Sequence, residues 1–375
     1  MTFFNFGCFK RRFKKPPGPE PESKYRQERR KRELPSYYQS KMDLKNGFSN
    51  NTDLKIIDEE EKREVVVKPN REEKRYFDFV YICQGFFAKV YKAKDINNKP
   101  VAVKRINIKN NPRFYEIAKR ECSLLNSINS KHIIKLQDAF VNEPYLYMIL
   151  PLYKMDLFEY LPKLIGKPNK IFKILLGIAK GLRDLHQLEL MHGDIKPENI
   201  MLTDMNEPII IDLGLSKSYK VYGINDHADR CKNLSGTLLY LPPEVIQFRS
   251  YTEKMDIWAF GVIMYMLMFN QEPFEMRKGE TKEEIFNNIK YKEQFYPLRW
   301  RIGEHTISRD LVGYVKIVEL NKWLLMKDRN ERPNINQVIL ELESINDHLR
   351  KTTCDKSCKL SHDLMVSHLN TFKTM

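Results

Sequence analysis

No stretch of this chain is apolar for long enough to cross a bilayer. The longest apolar run, Ile257 to Phe269, is thirteen residues, where a span needs about twenty; it reads instead as a buried helix. Cysteine is scarce and unframed: the six residues at positions 8, 83, 122, 231, 354 and 358 are scattered, so a disulfide scaffold is excluded. With no signal-peptide architecture at the start, the expected setting is reducing, soluble and intracellular, in cytoplasm or nucleus. Position 2 is Thr rather than Gly, which removes N-myristoylation. No internal repeat is evident, so a solenoid or array is not expected. Acidic residues are few at one end: residues 1–45 hold thirteen Lys/Arg against five Asp/Glu, +8 of the total +15. Pro16, Pro17, Pro19 and Pro21 lie in the same segment, and such a composition cannot bury a core. Residues 1–75 therefore read as a basic, largely disordered tail. No nucleic-acid-binding fold accompanies the charge, so no specific nucleic-acid partner is expected.

Two short patterns in the tails leave alternatives open. Phe3, Phe4, Phe6, Phe9 and Phe13 interleave with Lys10, Arg11, Arg12, Lys14 and Lys15. That mix suits peripheral contact with an anionic membrane surface, with Cys8 as an acyl acceptor; a solvated basic tail that docks acidic partners is the simpler alternative. Cys354, Cys358, His362 and His368 could ligate zinc, but no finger separates the pairs, and an amphipathic tail fits better.

The remainder, with ordinary hydrophobic content of 42% over the whole chain, is long enough for a sizeable core. Its most informative stretch runs from Met191 through His192, Gly193, Asp194, Ile195, Lys196, Pro197 and Glu198 to Asn199, followed by Ile209 to Gly214. An acid, a lysine, an amide and a second acid stand there at the spacing phosphoryl transfer requires. Upstream, the strand-like Phe77 and Phe79 to Ile82 run into a turn spanning Cys83 to Val90, and Tyr91 to Lys94 form a returning strand. Val101-Ala102-Val103-Lys104 follows. The helix-period residues Phe114, Ile117, Ala118, Leu124, Leu125 and Ile128 then put Glu121 on an inward face.

Together these residues resemble the eukaryotic-type protein kinases, serine/threonine subgroup. The resemblance implies an α+β, two-lobed fold, with a small antiparallel β lobe carrying one main helix and a larger, mainly α-helical lobe. The kinase domain would span 76–350 (small lobe 76–150, large lobe 151–350), with 351–375 a short C-terminal tail. It implies ATP and Mg²⁺ as cofactors, with Mn²⁺ as a substitute for the metal, and protein substrates carrying Ser/Thr acceptors. Asp194 would take the hydroxyl proton, Lys196 would steady the transferring phosphoryl charge, and Asn199 and Asp212 would hold metal. Lys104 would reach the α and β phosphates with Glu121 as its ion-pair partner. Ile82, Cys83, Gly85, Ala88, Val90, Ala102, Leu150, Leu152 and Met201 would line the nucleotide site, with the Pro151 carbonyl an acceptor at the hinge.

Lys196, two residues beyond Asp194, favours Ser/Thr over Tyr, since tyrosine kinases generally carry an Arg/Ala pattern there. Asp156 and Glu198 stand where similar kinases attract basic residues flanking the acceptor. Gly236 to Glu244 resembles the segment ending in A-P-E, and Arg332 the cation expected to pair with Glu244. The chain departs from the family at several points. Cys83 and Ala88 replace two glycines of the phosphate loop, where a Cβ obstructs close backbone approach. Leu213 replaces Phe in D-F-G. Gly193 replaces the Arg of H-R-D, so activation through a phosphate held by that Arg is not expected. Ser216, Ser218, Ser235 and Thr237 remain as other phosphorylation positions. A catalytically impaired scaffold is the alternative that these departures raise.

Overall fold

The computed structural model describes residues 75–85, 88–109, 112–165, 167–219, 238–248, 250–274, 280–297 and 311–354. The N-terminal tail, Ser235 to Thr237, and Cys358, His362 and His368 lie outside the described residues, as does the side chain of Cys354. Two compact units are present: the first takes the chain to Lys119 together with Leu136–Leu152, and the second takes Arg120–Lys135 and everything from Tyr153 on.

The first unit is a five-stranded antiparallel sheet built from β1 (Tyr76–Gln84), β2 (Ala88–Asp95), β3 (Pro100–Asn107), β4 (Asp138–Asn142) and β5 (Tyr145–Pro151), ordered β1-β2-β3-β5-β4. Strand alternation assigns the two faces of β3. Val101 and Val103 enter a buried cluster with Tyr91, Ala93, Tyr147 and Ile149, while Ala102 and Lys104 alternate with them. Arg105 lies over the rings of Tyr91 and Tyr145, 4.8 and 4.4 Å from their centroids, so its charge is held on aromatic faces. The edge strand β1 is irregular at two places. Asp78 there has a φ of 56° and binds Lys94 at 2.7 Å, a bulged and charged edge of the kind that discourages further strand pairing. Both hairpin strands run further into the turn than the residue pattern suggests, to Gln84 and from Ala88, because Gly85 N–H closes the turn on the Ala88 carbonyl at 2.8 Å.

Helix α1 (Pro112–Ser127) crosses the division between the units. The second unit then continues with β6 (Met155–Asp156), α2 (Leu157–Leu164), α3 (Pro168–Gln187), β7 (Leu190–Met191), β8 (Ile200–Leu202), β9 (Pro208–Ile210), β10 (Lys217–Ser218), α4 (Pro243–Phe248), α5 (Lys254–Phe269), α6 (Lys282–Tyr291), α7 (Leu311–Leu324) and α8 (Ile335–Cys354). The thirteen-residue apolar run lies in α5, whose residues Met255 to Met268 are all buried, as a helix apolar on every side requires. Among the described residues no helix is long and apolar enough to cross a membrane. Gly181 lets α3 approach β9 closely: a Cβ there would stand 2.8 Å from Ile210 Cδ1. Arg332 holds Glu244 through two bonds of 2.7 Å, the pair expected from the sequence, and its guanidinium also lies 4.9 Å from the Trp258 ring centroid. The last helix runs on to Cys354, beyond position 350.

Candidate active site

The loop from His192 to Asn199 is held by a buried carboxylate. Asp256, in the first turn of α5 and 1% exposed, accepts the backbone N–H groups of His192 at 2.8 Å and Gly193 at 2.9 Å. The His186 ring lies 3.0 Å from its Oδ2. A buried charge needs this many donors to offset its lost hydration. Gly193 turns the chain with φ +82°, a conformation in which a side chain costs free energy. The His192 ring accepts the Asp194 N–H at Nδ1, 3.2 Å away, and its Nε2 lies 3.0 Å from the Ile211 carbonyl. That histidine thereby links the loop to the strand leading into Asp212.

On this frame Asp194, Lys196 and Asn199 converge, all buried. Asp194 Oδ2 receives Lys196 Nζ at 2.5 Å and Asn199 Nδ2 at 2.9 Å, and the same amide nitrogen donates to the Asp194 carbonyl at 2.8 Å. Both side-chain bonds to Asp194 fall on one oxygen, leaving Oδ1 for another donor, and the bonds of Asn199 to Asp194 use its amide nitrogen and not its oxygen. Burial pushes the Asp194 carboxyl above the usual aspartate range; Lys196 and His192 oppose the rise, and the charge of Asp212 adds to it.

Asp212 follows β9 with φ 65° and ψ 71° and introduces a single 3₁₀ turn, Leu213–Leu215. Asp tolerates this left-handed conformation better than most residues. Leu213 is fully buried, and Ser216 N–H returns to its carbonyl at 3.0 Å. Ser216 is itself inaccessible, with its hydroxyl 3.4 Å from the His192 carbonyl, which corrects its expected availability for phosphorylation. Ser218, on β10 opposite Leu190, is half-buried. Asp156 caps α2, accepting the Glu159 N–H at 2.8 Å, so one carboxylate oxygen already serves the helix.

The remaining sequence-derived positions divide between the units. In the first, Ile82 and Cys83 end β1, Gly85 makes the turn, and Ala88 and Val90 open β2. Val90 stands opposite Lys104, and Ala102 opposite Leu150. Ile82 occupies a register irregularity and is exposed. Lys104 is buried, and Leu152 follows β5. In the second unit, Glu121 is buried on α1, as its helical phase required, and Met201 is half-buried on β8.

The sequence marks Asp256 and His186 only as ends of helical segments and gives them no role at the site. The available signal was a carboxylate at the head of a helix that is apolar from Ile257 to Phe269, since such a charge must be compensated in the fold.

The model of the protein kinase domain matches residues 76–341. The chain belongs to the protein kinase family. Among curated relatives of this kinase chain, a probable leucine-rich repeat receptor-like protein kinase of Arabidopsis thaliana is 29% identical over 278 residues, covering 70% of this chain and 28% of that protein. Ribosomal protein S6 kinase alpha-3 of Homo sapiens is 32% identical over 215 residues, 55% of this chain and 28% of its own length. Ribosomal protein S6 kinase alpha-2 of Mus musculus is 32% identical over 210 residues, 54% and 27% respectively. This kinase chain thus spans under a third of the length of those relatives. The antiparallel sheet and the helical second unit fit the two-lobed kinase fold.

Proposed function

We propose that the chain transfers the γ-phosphate of Mg-ATP to Ser or Thr hydroxyls of protein substrates. The observation that carries the reading is the buried cluster of Asp194, Lys196 and Asn199, with one carboxylate oxygen of Asp194 left for a hydroxyl proton. Asp194 orients the acceptor and takes its proton as the hydroxyl oxygen bonds to phosphorus and ADP leaves. Its raised pKa improves it as a base, and Lys196 beside it supplies positive charge for the transferring group. The amide oxygen of Asn199 and the carboxylate of Asp212 are hard donors of the kind Mg²⁺ prefers, with Mn²⁺ acceptable to the same set. When bound, the metal neutralises charge on the phosphates. Lys104 is the proposed contact to the α and β phosphates. Ile82, Cys83, Gly85, Ala88, Val90, Ala102, Leu150, Leu152 and Met201 are the proposed nucleotide contacts, with Glu121 supporting Lys104. Lys196 supports Ser/Thr over Tyr, and Glu198 with Asp156 supports basic residues flanking the acceptor. The basic N-terminal tail, residues 1–75, remains a proposed contact for acidic partners, or through residues 1–15 for an anionic membrane surface.

The second reading, a scaffold without transferase activity, draws on Cys83 and Ala88 in the phosphate loop and on Gly193 in place of the Arg of H-R-D. Radiolabelled transfer from Mg-ATP to a basic protein, compared between wild type and Asp194→Asn, separates the two. Label on Ser or Thr that falls at least a hundredfold in the variant is expected. Absence of transfer by folded, ATP-binding wild type would favour the scaffold.

A further inference from the structure

We propose that Arg120 is a positioning residue for the metal-holding turn, acting through the Gly214 carbonyl on Asp212; this rests on the reading of Asp212 as a metal ligand. Arg120 Nη2 donates to Gly214 O at 3.4 Å, between residues 94 positions apart. Among the described residues the guanidinium has that one hydrogen-bond partner, and its buried Nε has none. The side chain is half-buried, with Nε fully withdrawn from water, so a lost acceptor is only partly replaced by solvent.

Gly214 lies in the 3₁₀ turn that begins immediately after Asp212, and Asp212 is left-handed. Such a conformation persists only when its surroundings impose it. Buried Leu213 anchors the turn by its side chain, and Arg120 anchors it by its backbone. If the turn rearranged, the Gly214 carbonyl would swing away, leaving the guanidinium without its acceptor. The bond thus exists in one arrangement and not the other, which is the condition for biasing an equilibrium. Because Arg120 precedes buried Glu121 on α1, the same contact ties the part of that helix in the second unit to the turn presenting Asp212. Lysine is a poor substitute, having a point charge in place of a planar fork.

The test compares wild type, Arg120→Met and Arg120→Lys by two readouts. One is the thermal shift produced by ATP with Mg²⁺ and by ATP with EDTA; the other is the Mg²⁺ concentration giving half-maximal phosphate transfer. Arg120→Met should raise that concentration about fivefold and shrink the Mg²⁺-dependent part of the thermal shift, while the shift in EDTA stays unchanged. Arg120→Lys, which keeps a donor and most of the stem, should fall between. Equal Mg²⁺ dependence in all three proteins overturns the proposal, as does equal loss of both thermal shifts, which would mark a merely structural residue. Wild type that shows a Mg²⁺-dependent shift but no transfer would defeat the kinase reading alone. The complete absence of such a shift would remove Asp212 as a ligand and this proposal with it.

Discussion

Replacing Asp256 by Asn changes one atom type in a fully buried side chain and should disable the loop that carries Asp194. In the native protein Oδ2 accepts from His192 N–H and lies 3.0 Å from the His186 ring, and Oδ1 accepts from Gly193 N–H. An amide has one acceptor atom. If its oxygen stays with His192 and His186, its NH₂ faces the Gly193 N–H, donor against donor; the flipped amide strands the other two. Every remaining bond also loses its charge, which roughly halves its strength. With 1% exposure at Asp256, water cannot fill the gap. One orphaned backbone N–H and two weakened bonds come to about 3 kcal/mol. Asp256→Ala, which leaves all the donors without an acceptor, should lose more. The strained peptide adjoins Asp194, so kcat for phosphate transfer should fall at least tenfold under conditions where the variant remains folded. Urea denaturation followed by tryptophan fluorescence, with transfer measured in parallel, provides the check. An Asp256→Asn protein within 1 kcal/mol of wild type and with unchanged kcat would refute the argument that these three bonds hold the loop.

Other substitutions probe the same unit. Arg332→Met leaves Glu244 buried without its cation and should cost about 3–5 kcal/mol, read as a lowered urea midpoint; a loss under 1 kcal/mol would show that the carboxylate finds other donors. Gly181→Ala places a Cβ 2.8 Å from Ile210 Cδ1 and 3.2 Å from the His132 carbonyl, an overpacking worth about 1–3 kcal/mol, and an unchanged melting temperature would mean that α3 moves away freely. Lys327 donates to the Ile289 and Lys292 carbonyls at 2.7 and 2.8 Å, and burial pulls its ammonium down to about 8 from 10.5, with Glu293 opposing the shift and Arg332 adding to it. Between those pH values the unfolded chain holds a proton that the folded protein has released, so the contribution of Lys327 to stability rises with pH. The stability difference between wild type and Lys327→Met should therefore move in favour of wild type from about pH 7.5 to 10, and a flat difference contradicts the assignment.

Much of the chemistry was legible in the residue order because it is local. Asp194, Lys196 and Asn199 lie within six residues, so a single turn of backbone brings their side chains together. Helical phase sufficed to put Glu121 inside, and the apolar run of α5 announced its own burial. The hairpin ends were less legible, because their limits depend on which backbone groups close the turn at Gly85. Ser216 looked available in a polar segment, yet the fold buries it against the His192 carbonyl.

By itself the amino-acid sequence determined which functional groups exist and which of them stand close enough along the chain to meet: the acid, lysine and amide of one loop, the second acid beyond it, and the periodicities of strand and helix. Tertiary structure alone decided the long-range partners, Asp256 for the loop 63 residues away, Arg332 for Glu244 across 88, and Arg120 for Gly214 across 94. The physical reason is that a buried charge or backbone group must find a partner wherever packing removes it from water, and local periodicity marks that need without naming the residue that meets it.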